Sequence, residues 1–390
     1  MKKVIIRKTE EIENWRRNIN SEINFIPTMG NLHNGHIKLI STAKNDNSNV
    51  NLVSIFINPL QFDNKLDLEN YPKTIDNDIK ISFSNGADAI FIPSNEDIYP
   101  PNNKNIKFLK APIELSSALC GLNRIGHFDG VCTVVYRLLN LIKPKNLYLG
   151  EKDWQQLLIL KNLVLRKKLN VAIKSIPTQR DFDGIPLSSR NVHLSKNERK
   201  LISFFSSELL EAKKNFQQEK KINLNEIIKK LSAKKISIEY LEHLHPHTLQ
   251  KARLEDNISL LAGAIRCGET RLIDHVFLMK RRPIIAIDGP AGSGKSTVTK
   301  LIAKKLKLLY LDTGAMYRAL SWLMIKESID YKKEKKLQNI LKDISIVFKS
   351  NTNSHQDVYV NNYCVTEEIR SQKISSIVSK ISSIKEVRKF

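Results

Sequence analysis

The stretch Ile26-Pro-Thr-Met-Gly-Asn-Leu-His-Asn-Gly-His36 decides the fold of the first part of this chain. An apolar run ends within this stretch, and Ile37-Lys-Leu-Ile40 follows it with the apolar spacing of a helix. The stretch therefore predicts a strand that is followed by a turn and a helix. Gly35 lets the backbone approach a nucleotide closely, and the free N–H groups of a helix start favour phosphate oxygens. Two imidazoles three residues apart share one face of the first turn. From there His33 and His36 can donate hydrogen bonds to charge that develops on an α-phosphate and its leaving pyrophosphate.

Strand-like and helix-like runs alternate on both sides of this stretch over the first 180 or so residues. The predicted strands are Ile23–Thr28, Val50–Ile57, Ala89–Ile92 and Asn146–Leu149. The predicted helices are Gly35–Ala43, Thr74–Ser84, Gly130–Ile142 and Trp154–Leu165. This alternation is typical of an α/β fold, a Rossmann-like, doubly wound parallel sheet whose ligands bind beyond the carboxyl ends of the strands.

The pattern changes after Ser188, where a lysine-rich helical stretch over 196–230 leads into short strands at 236–243 and 258–264. We interpret this region as a small α+β subdomain. A charged junction, Lys280-Arg-Arg-Pro283, precedes a fresh apolar strand predicted over 283–288, followed by a second parallel-type strand over 308–311. The predicted domains are therefore a Rossmann-like α/β domain over 1–182, its small α+β subdomain over 183–280 and a further, partial α/β domain over 281–390.

Composition narrows the class of protein. The chain has 390 residues, with 63 Lys and Arg against 40 Asp and Glu, a formal charge of +23. The excess is mostly lysine spread over predicted helix faces, with no aromatic platform or arginine-rich tract, so nucleic acid is not the expected ligand. No apolar run reaches the length of a membrane helix, and the N-terminus lacks the long apolar region of a secretory signal. We therefore expect a cytoplasmic enzyme without membrane contact.

Three further segments carry polar side chains suited to a small anionic substrate and its nucleotide. Asn58 and Gln61 follow a strand and offer neutral amides for hydroxyl and carboxylate groups. In Gly150-Glu-Lys-Asp-Trp-Gln-Gln156, Lys152 can neutralise a phosphate, Asp153 can accept from ribose or hold magnesium through water, and Gln156 can reach the substrate. Gly184-Ile-Pro-Leu-Ser-Ser-Arg-Asn191 adds two hydroxyls and an arginine fork for the triphosphate. Each segment alone is also compatible with an ordinary polar loop.

In this order, and with Gly126-His-Phe-Asp-Gly-Val131, these segments closely resemble the pantothenate synthetase (pantoate–β-alanine ligase) family over about residues 1–280. The resemblance implies a two-step reaction that uses ATP and Mg²⁺. Pantoate carboxylate attacks the α-phosphate to give pantoyl adenylate and pyrophosphate, and the amine of β-alanine then attacks the acyl carbon and expels AMP. It also implies a homodimer through the ligase domain.

The matching positions imply roles for individual residues. His36 takes the proton-donor role, with His33 and Lys152 as further catalytic residues, while Gln61, Gln156 and Asn58 contact pantoate or β-alanine. Gln179 stands where the family usually carries a small apolar residue, so only its backbone is expected to take part. The implied ATP site comprises Met29, Gly30, Asn31, Leu32, His33, Asn34, Gly35, His36, Gly150, Glu151, Lys152, Asp153, Gln179, Leu187, Ser188, Ser189 and Arg190.

A second phosphate-binding pattern lies about 250 residues further on, in Gly289-Pro-Ala-Gly-Ser-Gly-Lys-Ser296. It fits G-x-x-x-x-G-K-S between an apolar run and a predicted helix, as a P-loop requires. Backbone N–H groups would cradle the β-phosphate, Lys295 would reach the β/γ oxygens as a catalytic residue, and the Ser296 hydroxyl would bind magnesium. The implied ATP site comprises Gly289, Pro290, Ala291, Gly292, Ser293, Gly294, Lys295, Ser296 and Thr297.

The next segment, Tyr310-Leu-Asp-Thr-Gly-Ala-Met-Tyr-Arg-Ala-Leu320, resembles the nucleoside-monophosphate site of the cytidylate kinase family, as does a hairpin-like stretch over 344–365 that ends in Thr366-Glu-Glu-Ile-Arg370. The resemblance implies CMP contacts by Asp312, Thr313 and Arg318, and transfer of phosphate from ATP to CMP. The later Gly-Arg-Asp segment and arginine-rich lid of that family do not occur within 283–390. Phosphoryl transfer needs cations around the transferred phosphoryl group. We therefore expect residues 281–390 to form a partial P-loop kinase domain that is weakly active or inactive by itself.

Two alternatives remain for the pair of patterns. His-x-Gly-His also occurs in other nucleotidyltransferases such as aminoacyl-tRNA synthetases, but no Lys-Met-Ser-Lys-Ser run is present. The P-loop part could instead be a nucleotide-sensing, GTPase-like regulatory module attached to the ligase, although no Asn-Lys-x-Asp base-reading motif accompanies it.

Overall fold

The computed structural model describes residues 3–46, 49–101, 107–219, 221–268, 270–281, 284–289, 293–306, 308, 310–329, 337, 341, 344–350 and 356–389. The chain forms two compact units, Met1–Pro283 and Ile284–Phe390.

A six-stranded parallel sheet forms the centre of the first unit. Its strands are β1 Val4–Ile6, β2 Ile23–Thr28, β3 Val50–Ile55, β4 Ala89–Phe91, β5 Asn146–Gly150 and β6 Ala172–Ile176. Their order across the sheet is β1-β4-β3-β2-β5-β6. All four predicted strands are present, with ends that differ by no more than two residues from the predicted ones. The edge strands were not predicted, because the apolar run of β1 is only three residues long and that of β6 is interrupted by Lys174 and Ser175.

Helices cover both faces of this sheet, which is why its central strands are buried at nearly every position. The helices of this part are α1 Thr9–Arg17, α2 Asn34–Lys44, α3 Lys65–Glu69, α4 Ile75–Asn85, α5 Asn95–Ile98, α6 Ile113–Ser116, α7 Cys120–Asn123, α8 His127–Ile142 and α9 Trp154–Arg166. Successive side chains of a strand point to opposite faces. Phe25 therefore packs towards α8 and α9, whereas Ile26 packs towards α2 and α4.

The strand order places a switch point between β2 and β5. From β2 the chain moves through β3 and β4 to one edge of the sheet, and later through β5 and β6 to the other. Open α/β sheets bind ligands at such a point, beyond the carboxyl ends of the strands. The segments that follow β2 and β5 are Met29–His36 and Gly150–Gln156, so the fold brings the two predicted nucleotide segments to one place.

A three-stranded antiparallel sheet and two helices form the remainder of the first unit. The elements are α10 Lys196–Glu219, α11 Leu224–Ala233, β7 Ser237–Leu244, β8 Ile258–Cys267 and β9 Thr270–Met279. Strand β8 is the central one of the sheet. The predicted single helical stretch over 196–230 is wrong in one respect: it is two helices, because the side chain of Asn223 accepts the N–H of Glu226 and starts a new one.

The second unit combines helices with a small antiparallel sheet. The elements are α12 Lys295–Leu306, α13 Thr313–Lys326, β10 Ile346–Ser350, β11 Gln356–Val360, β12 Tyr363–Cys364, α14 Gln372–Ser382 and α15 Lys385–Lys389. Helices α13 and α14 pack against the sheet. The hairpin predicted over 344–365 is confirmed. The strands predicted over 283–288 and 308–311 are not, because a strand needs a hydrogen-bonded neighbour and none of the described residues there pairs with one.

None of the helices in the described part of the chain combines the length and the apolarity that crossing a bilayer requires.

Candidate active sites

A cavity of about 280 Å³ opens at the switch point of the parallel sheet, and we call it the catalytic cavity. Its wall brings together most of the residues predicted for the ligand site of the first unit. These lining residues are Met29, His33, Gly35, His36, Asn58, Gln61, Gly150, Lys152, Asp153, Gln156, Gln179, Leu187, Ser188, Ser189 and Arg190. Five predicted residues do not line it: Gly30, Asn31, Leu32, Asn34 and Glu151.

The two histidines of the His-x-Gly-His turn stand next to each other, with ring centroids 4.1 Å apart. His33 is the N-cap of α2, and its Nδ1 accepts the N–H of Gly35 at 3.1 Å. His36 Nδ1 accepts the N–H of His33 at 3.3 Å. A neutral imidazole that accepts at one nitrogen carries its proton on the other. Both rings therefore present an Nε2–H donor.

Both histidines are neutral at physiological pH. Burial, together with the neighbouring His33, lowers the pKa of His36 to about 3. Burial, together with the ammonium of Lys152, lowers the pKa of His33 to about 4. The pair can therefore offer hydrogen bonds from Nε2–H, without a positive charge of its own.

A buried carboxylate holds the turn in front of these histidines. Asp78, on α4, is completely buried and accepts the backbone N–H groups of Asn31 at 2.9 Å and Leu32 at 2.8 Å. The turn needs such support, because Gly30 and Asn31 both have positive φ, 87° and 49°. Gly30, Asn31 and Leu32 thus do not line the cavity but belong to the turn that carries the two histidines. Sequence reasoning missed Asp78, since a lone aspartate on a helix carries no recognisable pattern.

The segment after β5 places one cation and one carboxylate at the cavity. The ammonium of Lys152 lies 3.4 Å from an oxygen of Asp153. Burial tends to raise the pKa of Asp153, but Lys152 and the cations around it hold the pKa below its usual value, so Asp153 is ionised. Glu151 points away and accepts the hydroxyl of Ser175 on β6.

The neutral amides after β3 are fixed by helix α8. Asn58 Nδ2 donates to the carbonyl of Gly130 at 3.2 Å and to Gln61 Oε1 at 3.1 Å. Gln61 Nε2 lies 2.9 Å from the sulfur of Met29. The backbones meet here so closely that a Cβ on Gly130 would lie 2.1 Å from the carbonyl oxygen of Leu60.

The guanidinium of Arg190 is bound by a carboxylate. Its Nη2 lies 2.9 Å from Asp67 on α3, and it stacks 5.7 Å from the ring centre of Tyr71. Ser189 Oγ donates to the carbonyl of Asn31 at 3.1 Å, which ties this segment to the histidine turn. The predicted hydroxyls and arginine fork thus reach the cavity.

The lining residues that were not among the predicted contacts include Tyr71, Arg124 and His127. Arg124 pairs with Asp63 at 2.9 Å. Burial, aided by Arg124, lowers the pKa of His127 to about 4, and its Nδ1 lies 2.5 Å from the carbonyl oxygen of Gln61. His127 lies in the segment that carries the family resemblance, whereas Tyr71 and Arg124 stand in loops without a signal.

A second and larger cavity, about 700 Å³, adjoins the catalytic cavity, and we call it the outer cavity. The two cavities share eight lining residues. The far wall of the outer cavity is formed by β7, β8 and β9. The shared residues are Tyr71, Arg124, His127, Lys152, Asp153, Gln156, Ser188 and Arg190.

The two cavities differ in the charge of their walls. The catalytic cavity has three cationic side chains, Arg124, Lys152 and Arg190, against the single carboxylate of Asp153, a formal charge of +2 with neutral histidines. The outer cavity has five of each sign and a formal charge of zero. These are Arg124, Lys152, Arg190, Arg266 and Arg271 against Asp63, Asp67, Asp153, Glu239 and Asp274.

The second unit has a cavity of about 290 Å³ between α13 and the small sheet. Asp312 and Arg318 line it with Thr366 and Arg370, whereas Thr313 does not. Asp312 also caps α13 by accepting the N–H of Ala315 at 3.1 Å, and Arg318 donates to the hydroxyl of Ser375 at 2.8 Å.

The P-loop stretch is described only in part. Pro290, Ala291 and Gly292 lie outside the described residues. Lys295, Ser296 and Thr297 start α12, and the Lys295 ammonium donates to the carbonyl of Gly289. Gly294 has a φ of 80°, which its lack of a side chain permits.

Comparison with protein families gives two matches. A model described as pantoate-beta-alanine ligase matches residues 4–277, and one described as cytidylate kinase matches residues 285–390. Two relatives from Prochlorococcus marinus, both described as bifunctional pantoate ligase/cytidylate kinase, are 97% (strain MIT 9215) and 48% (strain NATL1A) identical. In both cases the match covers 100% of this chain and 76% of the relative.

Solved structures resemble the first unit. A pantoate-beta-alanine ligase from Francisella tularensis, complexed with beta-gamma ATP and beta-alanine, is 37% identical with a TM-score of 0.61, and the match covers 71% of this chain and 98% of that one. A pantothenate synthetase from Thermus thermophilus is 33% identical with a TM-score of 0.64, and the match covers 70% of this chain and 98% of that one.

Proposed function

This chain belongs to the pantoate–beta-alanine ligase family and continues into a cytidylate kinase domain, and we propose that its catalytic cavity joins pantoate to β-alanine through a pantoyl adenylate made from ATP. The observation that carries this proposal is the pair of Nε2–H donors on His33 and His36 in one cavity with Lys152, Gln61 and Gln156.

In the first step, the pantoate carboxylate attacks the α-phosphate of ATP, an oxygen–phosphorus bond forms, and pyrophosphate leaves. Negative charge grows on the phosphate oxygens and on the leaving group. Nε2–H of His33 and His36 would donate to these oxygens, and Lys152 and Arg190 would supply positive charge. Because the pKa of His36 is about 3, its ring is neutral. His36 would therefore donate a hydrogen bond from Nε2–H and would not transfer a proton as an imidazolium.

The formal charge of +2 on the cavity wall favours the binding of an anionic nucleotide and an anionic acid together. Arg190 would exchange its partner Asp67 for the triphosphate when ATP binds. Mg²⁺ would accompany the triphosphate and offset its charge, with Asp153 as the nearby carboxylate in the first unit.

In the second step, the unprotonated amine of β-alanine attacks the acyl carbon. A carbon–nitrogen bond forms, the bond between the acyl carbon and the phosphate oxygen breaks, AMP leaves, and the nitrogen releases one proton to solvent. The amides of Gln61, Asn58 and Gln156 would hold the pantoyl hydroxyls so that the acyl carbon stays in place.

For the second unit we propose that the cavity lined by Asp312 and Arg318 accepts CMP, with the Arg318 guanidinium on its phosphate. ATP would bind at Gly289–Thr297, with Ser296 as the magnesium ligand and Lys295 at the phosphates. A titration of CMP into the wild type and the Arg318→Gln variant by calorimetry tests this, and equal affinities would contradict it.

We also propose that the protein works in the cytoplasm as a homodimer formed by the first unit. The resemblance to the ligase family is what implies a homodimer. Light scattering coupled to size-exclusion chromatography tests the assembly, and a monomer at micromolar concentration would contradict it.

The ligase proposal is tested by AMP release with pantoate and β-alanine supplied together or singly. We expect release to need both substrates and to fall about 100-fold or more in His36→Ala, since loss of one oxyanion donor costs that much. The matched control is His247→Ala, a histidine that lines neither cavity of the first unit. Release without β-alanine, or an unchanged rate in His36→Ala, would contradict the assignment.

A further inference from the structure

Two of the predicted nucleotide contacts lie at the two ends of one hairpin. Gln179 and Leu187 both line the catalytic cavity, and the N–H of Leu187 donates to the carbonyl of Gln179 at 2.9 Å. Between them the chain folds back on itself over residues 179–187, which we call the nucleotide hairpin, with Arg180 opposite Pro186. The spacing of the two backbones proposed to face the nucleotide therefore depends on what holds this hairpin in shape.

The side chain of Arg180 ties the nucleotide hairpin to strand β9. Its guanidinium donates to both carboxylate oxygens of Asp274, at 2.7 Å each. The same group donates to the carbonyl of Gly184, in the turn of the hairpin, at 2.8 Å and to that of His275 at 3.2 Å. A bidentate pair with a planar guanidinium fixes direction as well as distance. This one side chain therefore sets where the hairpin stands against β9.

The pair is well shielded from solvent. The side chain of Asp274 is 1% exposed. A second cation, Arg199 on α10, pairs with Asp181 and Asp183 of the hairpin at 2.6 and 2.7 Å, but these carboxylates are 36% and 17% exposed. Salt and water screen exposed pairs more than buried ones. The Arg180–Asp274 pair is therefore the stronger of the two attachments.

Arg180 acts from outside the reaction centre. It lines neither the catalytic nor the outer cavity, so it does not contact the ligands proposed for the first unit. From the hairpin the chain continues to Ser189, whose hydroxyl donates to the carbonyl of Asn31 in the histidine turn at 3.1 Å. A displacement of the hairpin would thus reach the cavity through the backbone.

We propose that Arg180, held by Asp274, is a positioning residue for ATP. It sets the distance between the backbones of Gln179 and Leu187, and therefore the fit of the nucleotide against them. This inference rests on the proposed ligase function and assigns no catalytic step to Arg180. The effect is confined to ATP, since the amides proposed to hold pantoate follow strands β3 and β5.

The test compares ATP binding with stability in two variants. Arg180→Gln leaves Asp274 buried without its cation, whereas Arg180→Gln/Asp274→Asn removes both charges. Loss of one partner from a buried pair destabilises a protein strongly, and replacement of both is often nearly neutral. We therefore expect the melting temperature to fall in the single variant and to recover most of the way in the double variant. The dissociation constant of ATP, measured by calorimetry, should rise about tenfold in both, the effect of weakened backbone hydrogen bonds to the nucleotide.

Kinetics separate ATP from the other substrates. The KM for ATP in the pantoate-dependent exchange of pyrophosphate should rise about tenfold, while the KM for β-alanine in the full reaction stays within about twofold of wild type. The matched control is Lys230→Gln, which leaves the 8% exposed carboxylate of Glu208, 3.2 Å away, without that cation. Neither residue lines a cavity of the first unit. This control should lower the melting temperature without changing the affinity for ATP.

The outcomes are distinct. An ATP dissociation constant within about twofold of wild type in both variants, or one that recovers together with the melting temperature in the double variant, would overturn the positioning role. Equal rises in the KM values for ATP and β-alanine would overturn it too. If Arg180→Gln does not fold, the double variant is compared with the wild type directly, because it leaves no buried charge unpaired. Absence of pantoate-dependent exchange in a wild type that still binds ATP would instead overturn the proposed function itself.

Discussion

At the scale of the residue, the catalytic cavity depends on groups that are ordinary in the sequence. The His-x-Gly-His pattern indicates which rings meet the phosphate, but their protonation follows from burial and from two backbone N–H groups that each occupy an Nδ1. Asp78, 47 residues from the turn that it holds, decides where those rings stand.

The first prediction concerns the tautomers. We expect His33 and His36 to be Nε2–H imidazoles that do not titrate above about pH 5, because burial lowers their pKa values to about 4 and about 3. Nitrogen-15 chemical shifts of labelled histidine, assigned with the His33→Ala and His36→Ala variants, measure this. An Nδ1–H tautomer, or a midpoint near the ordinary value of 6.5 for either ring, would show the hydrogen-bond assignment to be wrong.

The second prediction concerns Asp78. In Asp78→Asn one acceptor becomes an amide donor that faces a backbone N–H, so the turn at Gly30 and Asn31 should shift. Catalysis is sensitive to displacements of about 1 Å, and we expect kcat of the ligase reaction to fall roughly 10- to 100-fold while the KM for β-alanine changes less than about threefold. Steady-state kinetics measure both quantities.

Asp76→Asn serves as the control, since Asp76 lies on the same helix but is exposed. It should leave kcat unchanged. A kcat for Asp78→Asn within about twofold of wild type would mean that the turn holds its shape without the carboxylate.

At the scale of the element, helix α8 and the 3₁₀ turn Pro59–Gln61 form one functional piece. Glycine at 130 permits the contact, because any side chain there would collide with the backbone of Leu60. The contact in turn aims Asn58 and Gln61 at the cavity. The helix thus positions the two amides that we propose to hold pantoate.

The third prediction follows from this contact. Gly130→Ala should push the turn outwards, raise the KM for pantoate about tenfold or more, and destabilise the first unit by about 1–3 kcal/mol, the usual cost of overpacking. Kinetics with varied pantoate and urea unfolding measure the two effects. Cys132→Ala, also buried in α8 but not lining the cavity, should lower stability without a change in KM. A normal KM for pantoate in Gly130→Ala would contradict the positioning role.

At the scale of the whole molecule, the first unit contains several histidines that are neutral in the folded state. The pKa values of His33, His127 and His275 are about 4, and that of His36 is about 3, against 6.5 for the free side chain, with burial as the main cause. The unfolded chain therefore binds protons at pH values where the folded unit does not.

The fourth prediction follows from that difference. Stability from these histidines is complete above about pH 6.5 and is lost as the pH falls from there towards about 4, by up to about 1.4 kcal/mol per pH unit for each histidine. Urea unfolding followed by fluorescence at several pH values between about 7.5 and 4.5 measures the slope. His275→Phe should reduce the slope by one proton, and equal stability at the two ends of this range would contradict the buried neutral state.

Much of this molecule is predictable from its sequence because its signals are local. The run Ile23–Thr28 followed by Met29–His36 specifies a strand, a turn and the start of a helix in consecutive residues, and the structure has them there. The hairpin near 344–365 is predictable for the same reason. The strands expected over 283–288 and 308–311 are not found among the described residues, because their existence depends on neighbouring strands and not on their own apolar residues.

What the sequence by itself determined was the chemistry: which side chains lie at the ends of β2, β3 and β5, and hence which reaction family they serve. Only the tertiary structure decided the protonation of His36, the buried carboxylate of Asp78 behind it, and the neutral outer cavity with His275 on its far wall. The physical reason is that short-range spacing is written in consecutive residues. Burial and charge balance, in contrast, are sums over groups that folding brings together from distant parts of the chain.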